Sequence, residues 1–171
     1  MNHYLGIDVG TSGCRACLID ADGTIRAEAA VDLPAPLAHD GGREQDAELW
    51  WQSLEQLLDQ LAGRTPLSGI TALSIDGTSG TLLCCAADGT PLSPALMYND
   101  RSSTRTAALV ATIAPADTPA RGVTASLAKA LRLLADSPRN GEPARVLHQA
   151  DWLTGRLLGR CGDSDWHNTL K

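Results

Sequence analysis

Near its amino terminus the chain sets three apolar runs so close together that their connections fix how they pair. Tyr4 to Asp8 is followed, after Gly10-Thr11-Ser12-Gly13, by Cys14 to Asp20, and this is followed, after Ala21-Asp22-Gly23, by Thr24 to Leu33. Turns of that length cannot carry a crossover, so the three runs form an antiparallel meander. Pro34 to Gly42 reads as a loop. Asp46 suits a helix cap and Glu48 a first helical turn. Trp50, Leu54, Leu57, Leu58 and Leu61 then recur at helical spacing until Gly63. Ile70 to Ile75 is almost continuously apolar, the pattern of a strand buried on both faces, and a helix before it puts it parallel to the first strand. Thr81 to Ala86 reads as a further strand of the same sheet.

The last third reads as helical. Ser93 to Tyr98 leads into a helix near Arg101. Thr124 caps a run carrying Leu127, Leu131 and Leu134, which stops before Pro138. Pro143 opens another that carries Val146, Leu147, Ala150, Leu153 and Leu157 and ends at Gly159. The expected fold class is α/β, a mixed sheet with flanking helices, in one domain over residues 1–171. No element is closed off at Asn168-Thr169-Leu170-Lys171, which reads as the front part of a longer protein.

Two stretches look alike, Leu5 to Thr24 and Leu73 to Thr90. Each has an apolar strand with a terminal Asp, a GTSG turn, a second apolar strand and a DG turn. Two β-hairpins reusing the same turn chemistry explain the likeness without a duplication. The first still has chemical content. Asp8 ends a strand and points into the turn. Gly10 and Gly13 let backbone N–H groups approach an anion, and Thr11 and Ser12 add hydroxyl donors. A carboxylate beside a phosphate cradle repels the phosphate unless a cation lies between them, which implies Mg²⁺ held by water-mediated contact with Asp8. No Lys lies in the turn, so this is not a Walker loop.

The net charge of −6 and pI near 5.0 argue against a nucleic-acid binder or an anionic-membrane binder. With no Phe and 4% aromatic residues, the core has to be aliphatic. No membrane span and no signal peptide are legible, so the cytoplasm is the expected location and the five cysteines read as reduced thiols. Cys14 and Cys17 form a C-x-x-C, but on a strand they face opposite sides, which disfavours a metal or redox pair. Asp163, Asp165 and His167 lack a second cluster to complete a metal site. His148 reads as a packing or surface residue on a helix, and Trp50 and Trp51 as rings set against the sheet. Arg101 and Arg105 stand at i, i+4 spacing on a solvated face.

Four segments, in order, resemble the FGGY carbohydrate kinases. LGIDVGTSGCRACLID is similar to the first phosphate hairpin of the sugar-kinase and actin ATPase fold, and REQDAELWW (Arg43 to Trp51) to the E-Q-D-P-x-x-W-W segment. Ile75 to Ser103 is similar to the sugar-site hairpin and the W-x-D-x-R region, and Ala150 to Asn168 to the helix with L-T-G and the S-D-x-x-N motif beyond it. The DGTSGT turn, HQADW and NTLK are most similar to the D-ribulose-kinase-like branch, which is also xylulose-kinase-like.

The resemblance implies a ribonuclease-H-like, actin-like ATPase domain, the N-terminal part of an enzyme that moves the terminal phosphate of ATP to a sugar hydroxyl. A ketopentose such as ribulose or xylulose is the expected acceptor. It assigns Asp8 to Mg²⁺, and Gly10, Thr11, Ser12 and Gly13 to the phosphates. It assigns Thr78, Ser79 and Asp100 to the sugar, with Asp76 close by. Tyr98 stands where the family has Trp, and Arg101 follows the acid directly. Asp165 and Asn168 match a motif that supports the cleft. No general base is assignable here; the resemblance places that Asp beyond Lys171, along with a second domain, so this chain alone is expected to turn over little. Its partners are a small-molecule sugar and, for the full-length enzyme, a second copy in a homodimer. The competing readings are a non-catalytic half-domain that binds sugar or nucleotide, and another actin-like ATPase.

Overall fold

The structure, a computed structural model, describes residues 2–137 and 144–169. The chain divides into two compact units. The first comprises Met1–Ala35 and Glu48–Gly77; the second comprises Pro36–Ala47 and Thr78–Lys171.

In the first unit, β1 (His3–Val9), β2 (Gly13–Asp20) and β3 (Ile25–Asp32) form the expected antiparallel meander. Side chains alternate across it: Leu5, Ile7, Val9, Cys14, Ala16, Leu18, Ala27, Ala29 and Val31 are buried. The DG turn after β2 is fastened by Asp20, whose carboxylate accepts the Asp22 and Thr24 N–H groups, each at 3.0 Å, and pairs with Arg26. Helix α1 (Ala47–Ala62) starts directly after Asp46 and presents Trp50, Leu54, Leu57 and Leu61, all fully buried. Each such side chain contributes roughly 1.5–3 kcal/mol on burial. Trp51 is half-buried. Gly63 ends the helix through its N–H on the Asp59 carbonyl, and the Arg64 side chain donates to the Glu28 carbonyl of β3.

The second unit holds a five-stranded antiparallel sheet with order β4-β5-β8-β7-β9. Its strands are β4 (Leu37–His39), β5 (Gly42–Gln45), β7 (Leu82–Cys85), β8 (Ala95–Leu96) and β9 (Arg145–His148). Helices α2 (Thr104–Ile113), α3 (Ser126–Asp136), α4 (Gln149–Leu158) and the short α5 (Trp166–Thr169) complete it. Leu82, Cys84, Leu96 and Leu133 form a buried cluster, with Leu92, Leu134 and Val146 against it.

Several expectations are corrected. β6 (Ile70–Gly77) does pair parallel to β1, but it is the edge of a four-stranded sheet ordered β3-β2-β1-β6, and none of its residues is fully buried. An apolar run signals burial only where neighbours cover it, and here, among the described residues, β1 flanks one side alone. Thr81 to Ala86 does not join this sheet, because β7 pairs with β8 and β9 instead. The second GTSG turn is therefore no hairpin: it carries the chain out of one sheet and into the other.

Pro34 to Gly42 is not a bare loop either, since β4 and β5 form a hairpin about Asp40-Gly41, both at positive φ (22° and 82°). Val146 and Leu147 belong to a strand, not to the following helix, and Pro143 lies outside the described residues. Thr124 caps nothing; α3 begins at Ser126 after Ala125. Its buried face is Ser126, Ala128, Lys129 and Leu133, while Leu127 is 40% exposed. Arg101 precedes α2, so Arg101 and Arg105 do not share a helical face.

Candidate functional site

The residues singled out from the sequence fall in both units. In the first, β1 buries Leu5, Ile7 and Val9 and turns Gly6 and Asp8 outward. The β1–β6 register sets Asp8 opposite Asp76 and Val9 opposite Gly77. Side chains of directly paired residues in neighbouring strands leave the sheet on the same face, and the strands lie about 4.8 Å apart. Two exposed carboxylates thus stand side by side at the carboxyl end of two parallel strands, where open α/β sheets gather ligands.

The turn that follows is closed upon itself. Gly10 donates to the Gly13 carbonyl at 2.9 Å, and the Ser12 carbonyl accepts the Leu33 N–H at 2.9 Å. Gly13 is pressed against β3, where a Cβ would sit 3.0 Å from the Val31 carbonyl. The glycine there is required by close packing, not by a positive φ. The Gly10 amide is taken up inside the turn, and the amides of Thr11 and Ser12 have no backbone partner among the described residues.

The Asp8 and Asp76 carboxylates and the Thr11 and Ser12 hydroxyls fit Mg²⁺. All are hard oxygens, and the ion is ordinarily held by one or two carboxylates together with phosphate oxygens instead of by an all-protein cage. Among the described residues no cluster of three or more His, Cys, Asp or Glu side chains forms such a cage. Cys14, one pair beyond Asp8, is buried. Burial, and then the Asp8 charge, push its thiol up to about 11, so it is inert as a ligand. Cys17 lies on the other face.

In the second unit, Thr78 and Ser79 sit in a turn ending at Gly80 (φ 82°). Ser79 is exposed and Thr78 half-buried. The Thr78 N–H donates to Gln149 Oε1 at 2.9 Å, the Gln149 N–H donates to the Thr81 carbonyl at 3.2 Å, and the Tyr98 N–H donates to Thr81 Oγ1 at 3.2 Å. Asp100 follows β8 by four residues. It is fully buried, and its carboxylate accepts the Arg43 N–H at 2.7 Å and the Ser102 N–H at 3.0 Å, as well as the Ser102 hydroxyl. Arg132 Nη1 lies 3.8 Å away. With those partners Asp100 braces β5 against the segment after β8. Tyr98 beside it is 47% exposed.

The S-D-x-x-N segment is bonded within itself. Asp165 accepts the Asn168 N–H at 2.9 Å and its side-chain amide at 2.7 Å, and Ser164 Oγ donates to Asp151 at 2.6 Å. Burial pushes the Asp151 carboxyl above the usual carboxylate range and pulls His148 below the usual imidazole range. His148 ends β9 instead of riding a helix.

The N-terminal domain of the FGGY family of carbohydrate kinases matches residues 3–124. The chain belongs to that family. The xylulose kinase of Escherichia coli K12 is 33% identical over 97 residues, which are 57% of this chain and 20% of that enzyme. An Arthrobacter xylulose kinase is 32% identical over 60% of this chain and 99% of its own sequence. The chain thus spans about a fifth of the E. coli enzyme. Among solved structures, the "xyloylose kinase" of Brucella ovis superposes with a TM-score of 0.76 at 26% identity, covering 90% of this chain and 34% of that one. Plasmodium falciparum glycerol kinase with ADP superposes with a TM-score of 0.77 at 18% identity, covering 94% and 35%, a likeness of fold. The fold is the actin-like, ribonuclease-H-like α/β fold of the FGGY kinases.

Two side chains that matter in this FGGY domain were not singled out from the sequence. Lys129 and Gln149 are both fully buried, and both bond the backbone of the Thr78–Thr81 turn. Lys129 was legible in principle: on a helix it shares a face with Ala128 and Leu133, an unusual place for a cation.

Proposed function

We propose that this chain supplies the phosphate turn and one sugar-binding wall of an ATP-dependent kinase that phosphorylates a ketopentose. The observation that carries the reading is the Asp8–Asp76 register beside the self-closed Gly10–Gly13 turn. Thr11 and Ser12 offer amides and hydroxyls to the phosphates of ATP, and Asp8 would hold Mg²⁺. Bound there, Mg²⁺ would supply positive charge against the phosphate oxygens. Thr78 and Ser79 orient the sugar, small side chains that leave room for a five-carbon chain, and Asp76 lies close to them in sequence. Asp100 acts by bracing. In the reaction a sugar hydroxyl oxygen bonds to the γ-phosphorus, the bond from that phosphorus to the β–γ bridging oxygen breaks, and ADP leaves. The hydroxyl proton passes to an aspartate that we assign outside this chain. Such chemistry depends on positioning and charge neutralisation. The enzyme is read as cytoplasmic.

An ADP-release assay with D-ribulose, D-xylulose and glycerol, run on the complete gene product containing this chain, tests the reading. Ketopentose-dependent ADP release that exceeds the glycerol rate is expected. Inertness toward every sugar overturns it.

A further inference from the structure

Lys129 is a cation with no exposed surface, on a helix face made otherwise of small and apolar side chains. An ammonium has three N–H donors, and here all three have backbone acceptors. Nζ donates to the Gly80 carbonyl at 2.5 Å, the Met97 carbonyl at 2.9 Å and the Tyr98 carbonyl at 3.1 Å. One acceptor lies in the Thr78–Gly80 turn and two lie in the segment after β8, residues distant in sequence and otherwise joined by the Tyr98 N–H to Thr81 Oγ1 bond. The Gly80 carbonyl reaches the ammonium from a residue at φ 82°, a left-handed conformation that favours glycine. Gln149 accepts the Thr78 N–H through Oε1 and donates its own backbone N–H to the Thr81 carbonyl.

A buried charge is expensive unless it is compensated. Burial pulls the ammonium down to about 8, and the nearby Asp100 carboxylate opposes that shift. Asp100 is itself fully buried among donors. Packing alone would be served better by Met or Leu, so the cation is placed for its three donors. Arg would not substitute, because a planar fork cannot converge on three carbonyls about one point.

We propose that Lys129 is a positioning residue for sugar recognition: with Gln149 it locks the Thr78–Gly80 turn to the Met97–Tyr98 segment, so that Thr78 and Ser79 meet the sugar hydroxyls in one fixed arrangement. This rests on the sugar-kinase reading. The lock lies wholly inside the second unit and touches no phosphate-binding residue. Its loss therefore weakens sugar binding and leaves the Asp8 hairpin unchanged.

The test uses the ¹⁵N-labelled chain as wild type, Lys129→Met, Gln149→Met and Leu133→Ala. Each is titrated with D-ribulose and D-xylulose while the Thr78, Ser79 and Tyr98 amide signals are followed, and amide exchange is measured at Thr78 and Tyr98. In Lys129→Met we expect cooperative unfolding to persist, exchange at these amides to rise at least tenfold, sugar affinity to fall at least tenfold, and the Gly10–Gly13 signals to stay in place. Gln149→Met, on another helix, gives the same split if Lys129→Met does not fold. Leu133→Ala removes core from the same face of α3 and lowers stability without either effect.

Unchanged exchange and affinity in Lys129→Met and Gln149→Met overturn the proposal, and so does Leu133→Ala reproducing both effects. A wild type that responds to neither sugar, with exchange still rising in Lys129→Met, sinks the sugar reading and this role with it, leaving only a fold lock. That outcome is distinct from failure of the lock itself.

Discussion

Asp8 and Asp76 are direct register partners in the parallel β1–β6 pair, each one residue before the end of its strand, and both project from the exposed face of the sheet. Two like charges facing each other across a ladder destabilise it by about 0.2–1 kcal/mol. Under the proposed function, Mg²⁺ held by Asp8 would offset that repulsion.

Asp8→Asn and Asp76→Asn should therefore each raise the thermal midpoint slightly in low-salt, Mg²⁺-free buffer, an effect that added salt erodes because both groups are exposed. In the presence of Mg²⁺ and ATP the order should invert. The wild type gains stability, and Asp8→Asn loses most of that gain. Scanning calorimetry with and without Mg·ATP checks this. A lower midpoint for both variants in Mg²⁺-free buffer would show that the carboxylates hold the strands together by some other bond.

The Asp151 carboxyl is raised chiefly by burial, so the native chain holds its proton more tightly than the unfolded chain does. Stability from this group is highest when it is protonated and falls as pH rises from the ordinary carboxylate value through the raised one. Above the raised value the penalty is present in full. Asp151→Asn keeps an oxygen acceptor for the Ser164 hydroxyl and removes the charge. Its thermal midpoint should exceed the wild type's by about 1–3 °C at pH 7, and the difference should vanish near pH 4. A variant less stable at pH 7 would mean that the charge itself holds the Ser164 segment.

Gly155 sits inside α4, where Ala ordinarily gains up to about 1 kcal/mol over Gly. Here a Cβ would lie 2.8 Å from Cys161 Sγ and 3.1 Å from both the Arg160 carbonyl and the Cys161 Cα. Backbone on that side cannot swing away as a side chain can. Gly155→Ala should destabilise by about 1–3 kcal/mol, the usual cost of overpacking, as read by urea denaturation. Adding Cys161→Ala should recover part of the loss, since the thiol is only one of the three obstacles. Full recovery would mean that the backbone contacts are slack.

Local signals carried the first unit. The meander followed from turn length alone, the parallel β6 from the helix between, and the Asp8–Asp76 alignment from both together. What failed were inferences that needed to know which neighbours a strand would have. Ile70–Ile75 looked central because it is apolar, yet among the described residues only β1 lies beside it. The second GTSG turn looked like the first because the residues match. Its backbone groups instead bond Gln149 and Lys129, more than forty residues away, and the chain leaves the sheet there. Asp100 was found as a residue, but its burial against the Arg43 backbone, 57 residues away, is a tertiary fact that its own segment does not encode, unlike its local bonds to Ser102. Val146 and Leu147 fit a helical stripe as well as a strand, and it was pairing with β7 that decided.

The exposed length of β6 gives the last prediction. Among the described residues this eight-residue strand, Ile70–Gly77, is the terminal member of its sheet, paired on one side only. It contains no Pro and no Lys to blunt it, and Leu73 is 41% exposed. An edge of this kind is a template for pairing with another chain. The purified 171-residue chain should associate as its concentration rises, as read by light scattering and sedimentation. Leu73→Lys should suppress that association by placing a charge on the edge. Leu109 on α2 is a control for stickiness alone: it is 57% exposed and lies on no strand, so Leu109→Lys should leave the association unchanged. Equal suppression by the two variants would point to general hydrophobic contact instead of strand pairing. A wild type that stays monodisperse across the concentration range would show that β6 is protected by something other than a neighbouring strand.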